Sequence, residues 1–71
     1  MTNSALFCKK VVDSGVKFSF IAEKIGMTRQ GLSKKLKDNS DFKAYQMLII
    51  ADILHLSDED RDAIFYAQNV D

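Results

Sequence analysis

Arg29, Gln30, Ser33, Lys34 and Lys37 fall within nine residues, and at helical spacing they share one face. Guanidinium and ammonium groups neutralise phosphates. A guanidinium or a carboxamide can also form paired hydrogen bonds with the edge of a guanine or an adenine. Thr28, immediately before them, is a natural N-cap that would satisfy an orphan N–H and aim the helix start outward. Lys35 beside Lys34 and Lys37 would add salt-dependent affinity without sequence information. The chemistry within reach of this set is recognition of a polyanion and its bases. Catalysis is not: His55 is the one histidine and Cys8 the one cysteine, and neither a metal-spaced cluster nor a phosphate-cradling glycine loop accompanies them. No catalytic residue, metal or cofactor is therefore predicted. Cys8 reads as a small core or boundary residue, and His55 as a helix-end residue that tolerates the left-handed region.

The elements that must hold this face come next. The spacing predicts a helix over about 18 to 25 and a second over about 29 to 37, with Gly26 supplying a left-handed turn between them. Ile21, Ile25, Met27, Leu32 and Leu36 form one apolar face through both helices, and Ala22 is small where they approach. That is the layout of a helix-turn-helix DNA reader. Gly31, inside the second of these helices, implies close approach to another surface, either helix two or a duplex. Phe18 and Phe20 are expected to be partly core.

Three further helices complete a single all-α domain over residues 1 to 71. The first is expected over 3 to 14, capped from among Thr2, Asn3 and Ser4 and ended by Gly15, with Leu6, Val11 and Val12 apolar and Phe7 and Cys8 beside them. The fourth, over 42 to 54 with Asp41 as its cap, is nearly apolar throughout and should be the central packing element. The fifth, over 58 to 69, opens on Ser57-Asp58-Glu59-Asp60, which resembles a capping box and suits the positive end of a helix dipole. Ile21, Ala22, Ile25, Leu32, Leu36, Leu48, Ala51 and Leu54 are expected to be buried together.

Charge is distributed unevenly. Residues 1 to 37 hold eight basic and two acidic side chains, a net +6, and residues 38 to 71 hold two basic and eight acidic, a net −6. A dipolar molecule of zero total charge can still be steered to a polyanion. No apolar run approaches a membrane span and no leader is evident, and the lone cysteine points to an intracellular setting.

The pattern Ile21-Ala22-x-x-Ile25-Gly26-Met27-Thr28-Arg29-Gln30-x-Leu32-x-x-x-Leu36, followed by Ala51-x-x-Leu54-x-Leu56-Ser57, resembles the Cro and phage-repressor helix-turn-helix family over about residues 4 to 67. It is most similar to short Cro-like regulators of phages and prophages. The resemblance implies a compact five-helix Cro/repressor-like domain that works in a bacterial cytoplasm, as a dimer on a pseudo-palindromic operator in double-stranded DNA. Thr28, Arg29, Gln30, Ser33 and Lys34 match the positions from which the family contacts DNA, with Lys37 as a flanking phosphate contact. Two features depart from the common pattern. Phe18 and Ser19 open helix two where many relatives have a glutamine that contacts the backbone, and the chain stops after the fifth helix, which favours a Cro-like regulator over a full repressor.

Ile64, Phe65, Tyr66 and Val70 offer more apolar surface than covering helix four requires, so a homodimer is expected through the fifth helix. The acidic charges around it would keep that dimer weak until DNA assembles it. The competing reading is a protein-binding module, a phage inhibitor or adaptor, that uses Asp58, Glu59, Asp60 and Asp62 against a basic partner.

Overall fold

Short polar side chains set where three helices of this chain begin, and left-handed residues set where four of them end. The computed structural model describes residues 1–67, with α1 (Ser4–Ser14), α2 (Phe18–Lys24), α3 (Arg29–Lys37), α4 (Ala44–Leu54) and α5 (Asp58–Phe65) and no strand among the described residues. Asn3, Thr28 and Ser57 cap α1, α3 and α5, each accepting the N–H three residues on, at 3.1, 2.9 and 3.1 Å. Such a cap contributes about 1 kcal/mol. At the other ends of α2, α3 and α4 stand Gly26, Asn39 and His55, with φ of +75°, +52° and +51°. In each case the next residue donates back across the last turn: Met27 to Ala22 at 2.8 Å, Ser40 to Lys35 at 3.0 Å and Leu56 to Ala51 at 3.0 Å. These bonds satisfy carbonyls that a helix end leaves unpaired. Gly26 and His55 do what their types led one to expect. Asn39 is the terminator of α3.

Two boundaries differ from expectation. α4 starts at Ala44, not at 42, because Gln46 reaches back to accept the Lys43 N–H at 2.9 Å and takes the place expected of Asp41. Asp41 instead pairs with the N-terminal ammonium at 2.6 Å, which holds its carboxyl below the usual aspartate range. Freed from the helix, Phe42 turns into the core. α5 ends at Phe65, short of the expected 69.

The core is organised around Phe7, which is fully buried. Its ring stacks on Phe42 at 5.8 Å and meets Phe18 and Phe65 edge-on at 6.3 and 6.5 Å, and Phe42 meets Phe65 edge-on at 5.7 Å. Edge-to-face and offset pairs add stabilisation beyond the area they bury. Val11, Ile21, Ala22, Ile25, Leu32, Leu36, Ile50, Leu54 and Ile64 close around the rings. Of the set expected to be buried together, Leu48 is out of place: it is 66% exposed. The inward stripe of α4 is Gln46, Ile50 and Leu54, and Leu48 stands about 160° around the helix from Ile50. Ala51, at the edge of the stripe, is half-buried. Cys8 and Val12 likewise face solvent, since α1 turns Phe7 and Val11 inward. Phe18 is half-buried, as expected, whereas Phe20 is exposed beneath the Lys24 ammonium, 5.2 Å from its ring centre.

The segment before α1 ties the molecule together. Thr2 is buried, its hydroxyl donates to Ser40 O at 2.7 Å and its N–H to Asn39 O at 3.1 Å. Asn3 N–H donates to Ile64 O at 2.7 Å, and the Ser4 hydroxyl donates to Leu36 O. Of the three residues expected as alternative caps, Asn3 caps α1, while Thr2 and Ser4 fasten the end of α3.

Candidate nucleic-acid interface

α3 is held on three sides. Leu32 and Leu36 root it in the core, α2 packs along it, and Thr2 and Ser4 bind the carbonyls near its C-terminus. The side that remains free carries Arg29, Ser33, Lys37, Gln30 and Lys34, all exposed. At 100° per residue these five follow one another around roughly 140° of the helix surface. Thr28 is exposed at the outward start of the same helix. All six residues proposed from sequence thus lie on one continuous surface. The Thr28 oxygen accepts the Gly31 N–H, which leaves its own O–H free to donate.

Gly31 has a reason that the sequence did not suggest. A Cβ there would lie 3.1 Å from the Thr28 hydroxyl oxygen and 3.6 Å from the Met27 methyl. The close approach expected at this glycine is to its own cap and turn, rather than to α2.

Electrostatics separate the cations of the basic half. Lys9 pairs with Asp13 at 3.1 Å and Lys10 with Asp60 at 3.0 Å, the latter joining α1 to α5. The Lys10 hydrogen bond is the main reason the Asp60 carboxyl lies below the usual aspartate range. Lys35 does not share the α3 arc: it is half-buried, with its ammonium 5.1 Å from the centre of the Phe42 ring. Arg29, Lys34 and Lys37 have no carboxylate within ion-pair distance among the described residues. Their charge is therefore uncompensated locally, and it stands on the same arc as Gln30 and Ser33.

On its α1 flank the arc borders a shallow groove lined by Cys8, Val11, Val12 and Phe18 together with Arg29 and Ser33. Nothing in the spacing of Cys8 or Val12 could have placed them there, because the groove exists only where α1 passes α3.

The acidic start of α5 is half neutralised from within. Arg61 reaches Asp58 at 3.4 Å and Asp62 at 3.2 Å, and Lys10 holds Asp60. The dimer surface expected on this helix is not available as expected. Ile64 is fully buried and Phe65 nearly so, because an eight-residue helix needs both to close the core against α1 and α4. Tyr66 is exposed, and Val70 lies outside the described residues.

What the geometry defines is a class: a fold all-α among the described residues, with five helices there, in which a short helix, a tight turn and a second helix present a cationic, hydrogen-bonding arc. No family model matches this chain, nor does any curated protein or solved structure. The functional reading therefore rests on the arrangement of the side chains. Among the described residues no helix is long and apolar enough to cross a membrane, and no three metal-ligating side chains converge.

Proposed function

We propose that the protein is a sequence-specific double-stranded DNA-binding regulator of transcription, a Cro-like repressor of helix-turn-helix type. The observation that carries this reading is the α3 surface: Leu32 and Leu36 fix the helix from behind, while Arg29, Gln30, Ser33, Lys34 and Lys37 face outward. A helix held in that way can enter a major groove without rearranging the fold. Arg29 and Gln30, in its first turn, are the base readers, by paired hydrogen bonds to guanine and adenine. Thr28 and Ser33 donate to phosphate or to a base edge, and Lys34 and Lys37 neutralise phosphates. One such helix covers only a few base pairs, so two copies on a pseudo-palindromic site complete the reading.

The protein-binding alternative draws less support, since three of the four acids it would use at the start of α5 have intramolecular partners. Selection of bound sites from random duplexes, followed by titration with Arg29→Ala, tests the proposal. It predicts an enriched motif and loss of preference at one defined base pair in the variant. Absence of any salt-sensitive duplex binding would refute it.

A further inference from the structure

Six large apolar side chains are substantially exposed among the described residues: Met1, Val12, Phe20, Tyr45, Leu48 and Tyr66. Only Tyr45 and Leu48 share a helix. They are 53% and 66% exposed, and their spacing of three residues puts them on one side of α4, opposite the stripe of Gln46, Ile50 and Leu54. Ile49 and Ala51, both half-buried, border them. We infer that this face of α4 is where two copies of the chain meet, as an antiparallel pair of α4 helices with the two-fold axis passing beside Leu48. The inference rests on the two-copy part of the reading above and is independent of which residues touch DNA.

Charge identifies a second copy as the occupant. A two-fold interface sets a surface against itself, so a face dominated by one sign of charge repels its own image. That disfavours the α3 arc, with Arg29, Lys34 and Lys37, and the α5 start, with Asp58, Glu59 and Asp60. α4 carries one ionised side chain, Asp52, in its 11 residues. About an axis at Leu48, the two copies of Asp52 stand about 12 Å apart along the helices, beyond a Debye length at physiological salt. Each comes opposite Ala44 at the start of the other copy's α4, where the helix dipole is positive and the exposed Lys43 supplies a cation. The only charge on the face is thus complementary to its own image.

The extent of the face sets the strength of the pairing. A helix of this length spans about 16 Å, and one pair of such faces buries well under the roughly 800 Å² per partner of a standard interface. The pairing is therefore weak in free solution and becomes effective when two copies bind neighbouring half-sites.

Disulfide trapping without DNA tests it. In a Cys8→Ser background, Leu48→Cys places two thiols beside the axis, within the reach of a disulfide. Mild oxidation is expected to give covalent dimers at least about tenfold faster than with Asp62→Cys, an exposed position on α5. A companion variant, Leu48→Glu, alters an exposed side chain and is expected to keep the helical spectrum and the affinity for a single half-site, while losing cooperative binding to paired half-sites. Equal cross-linking at Asp62→Cys, no cross-linking at Leu48→Cys, or unchanged cooperativity in Leu48→Glu would each overturn the inference. If Leu48→Cys cross-links but no duplex is bound, the DNA reading fails and the α4 pairing stands. If duplexes are bound and Leu48→Cys stays monomeric, only the α4 pairing fails.

Discussion

α3 and α4 follow one another in the chain and pack into the same core, yet their outward faces have opposite chemistry. α3 turns out an arc of cations, a carboxamide and a hydroxyl, and α4 turns out Tyr45 and Leu48. In α3 the two sides differ in polarity, so the helical period is written in the residue types and assigns Leu32 and Leu36 to the core. In α4 both sides carry large apolar residues, and only Asp52 marks the outward one, so the same period says little about which side faces in. The difference teaches that a helix's inward face is readable only where its outward face is chemically distinct.

The largest expected effect concerns the two sides of α4. Ile50 is fully buried, so Ile50→Ala should cost about 2–5 kcal/mol, enough to unfold much of so small a domain. Leu48→Ala should stay within about 0.5 kcal/mol. Urea denaturation of the two variants measures this. Similar losses in both would erase the distinction between the inward and outward faces of α4.

The outward face of α3 can be divided by function. Arg29→Ala should lose about 1–3 kcal/mol of discrimination at one base pair, whereas Lys37→Ala should weaken all duplexes alike and lower the salt slope by about 1. Competition titrations at several salt concentrations distinguish the two outcomes. A changed sequence preference in Lys37→Ala, with none in Arg29→Ala, would exchange their roles.

A smaller effect lies at the start of α3. Thr28→Ala should cost about 1 kcal/mol through the lost cap. Gly31→Ala should fail to gain the roughly 1 kcal/mol of helix propensity while Thr28 is present, because the new Cβ crowds a hydroxyl 3.1 Å away. In the Thr28→Ala background the same alanine should stabilise. A double-mutant cycle by thermal denaturation reads this coupling, and strict additivity would show that the cap does not dictate the glycine.

The smallest effect is electrostatic and lies away from both helices. Asp60 titrates below its ordinary value in the folded chain because of Lys10, so its contribution is fully present above about pH 4 and fades as pH falls through the depressed value. Asp60→Asn should lower the melting temperature slightly at neutral pH, and the difference from the unsubstituted chain should vanish as pH falls through the depressed value. Thermal melts followed by circular dichroism between neutral and acid pH are the measurement, and a difference that grows on acidification would contradict the sign.

Local chemistry alone determined a good deal of this protein. Thr28 and Ser57 announce their helices because a short side-chain oxygen can reach a backbone N–H three residues on, wherever the rest of the chain lies. Gly26 ends α2 for an equally local reason, and the alternation of Leu32 and Leu36 with polar residues orients α3 before any partner is known. Tertiary structure decided what depends on distant neighbours. Phe42 leaves its expected helix because Phe7, Phe65 and the Lys35 ammonium surround it. Ile64 and Phe65 are consumed by the core because they close it where α5 packs on α1 and α4. Thr2 and Ser4 exchange capping for a grip on α3 because the ends of two helices happen to meet them. Asp41, Asp60 and Lys35 were assigned by their place along the chain, the two acids to helix starts and the lysine to the α3 surface, but a charge acts through space. Only the fold could show that Lys35 leans on a ring while Arg29, Lys34 and Lys37 remain free of ion pairs among the described residues.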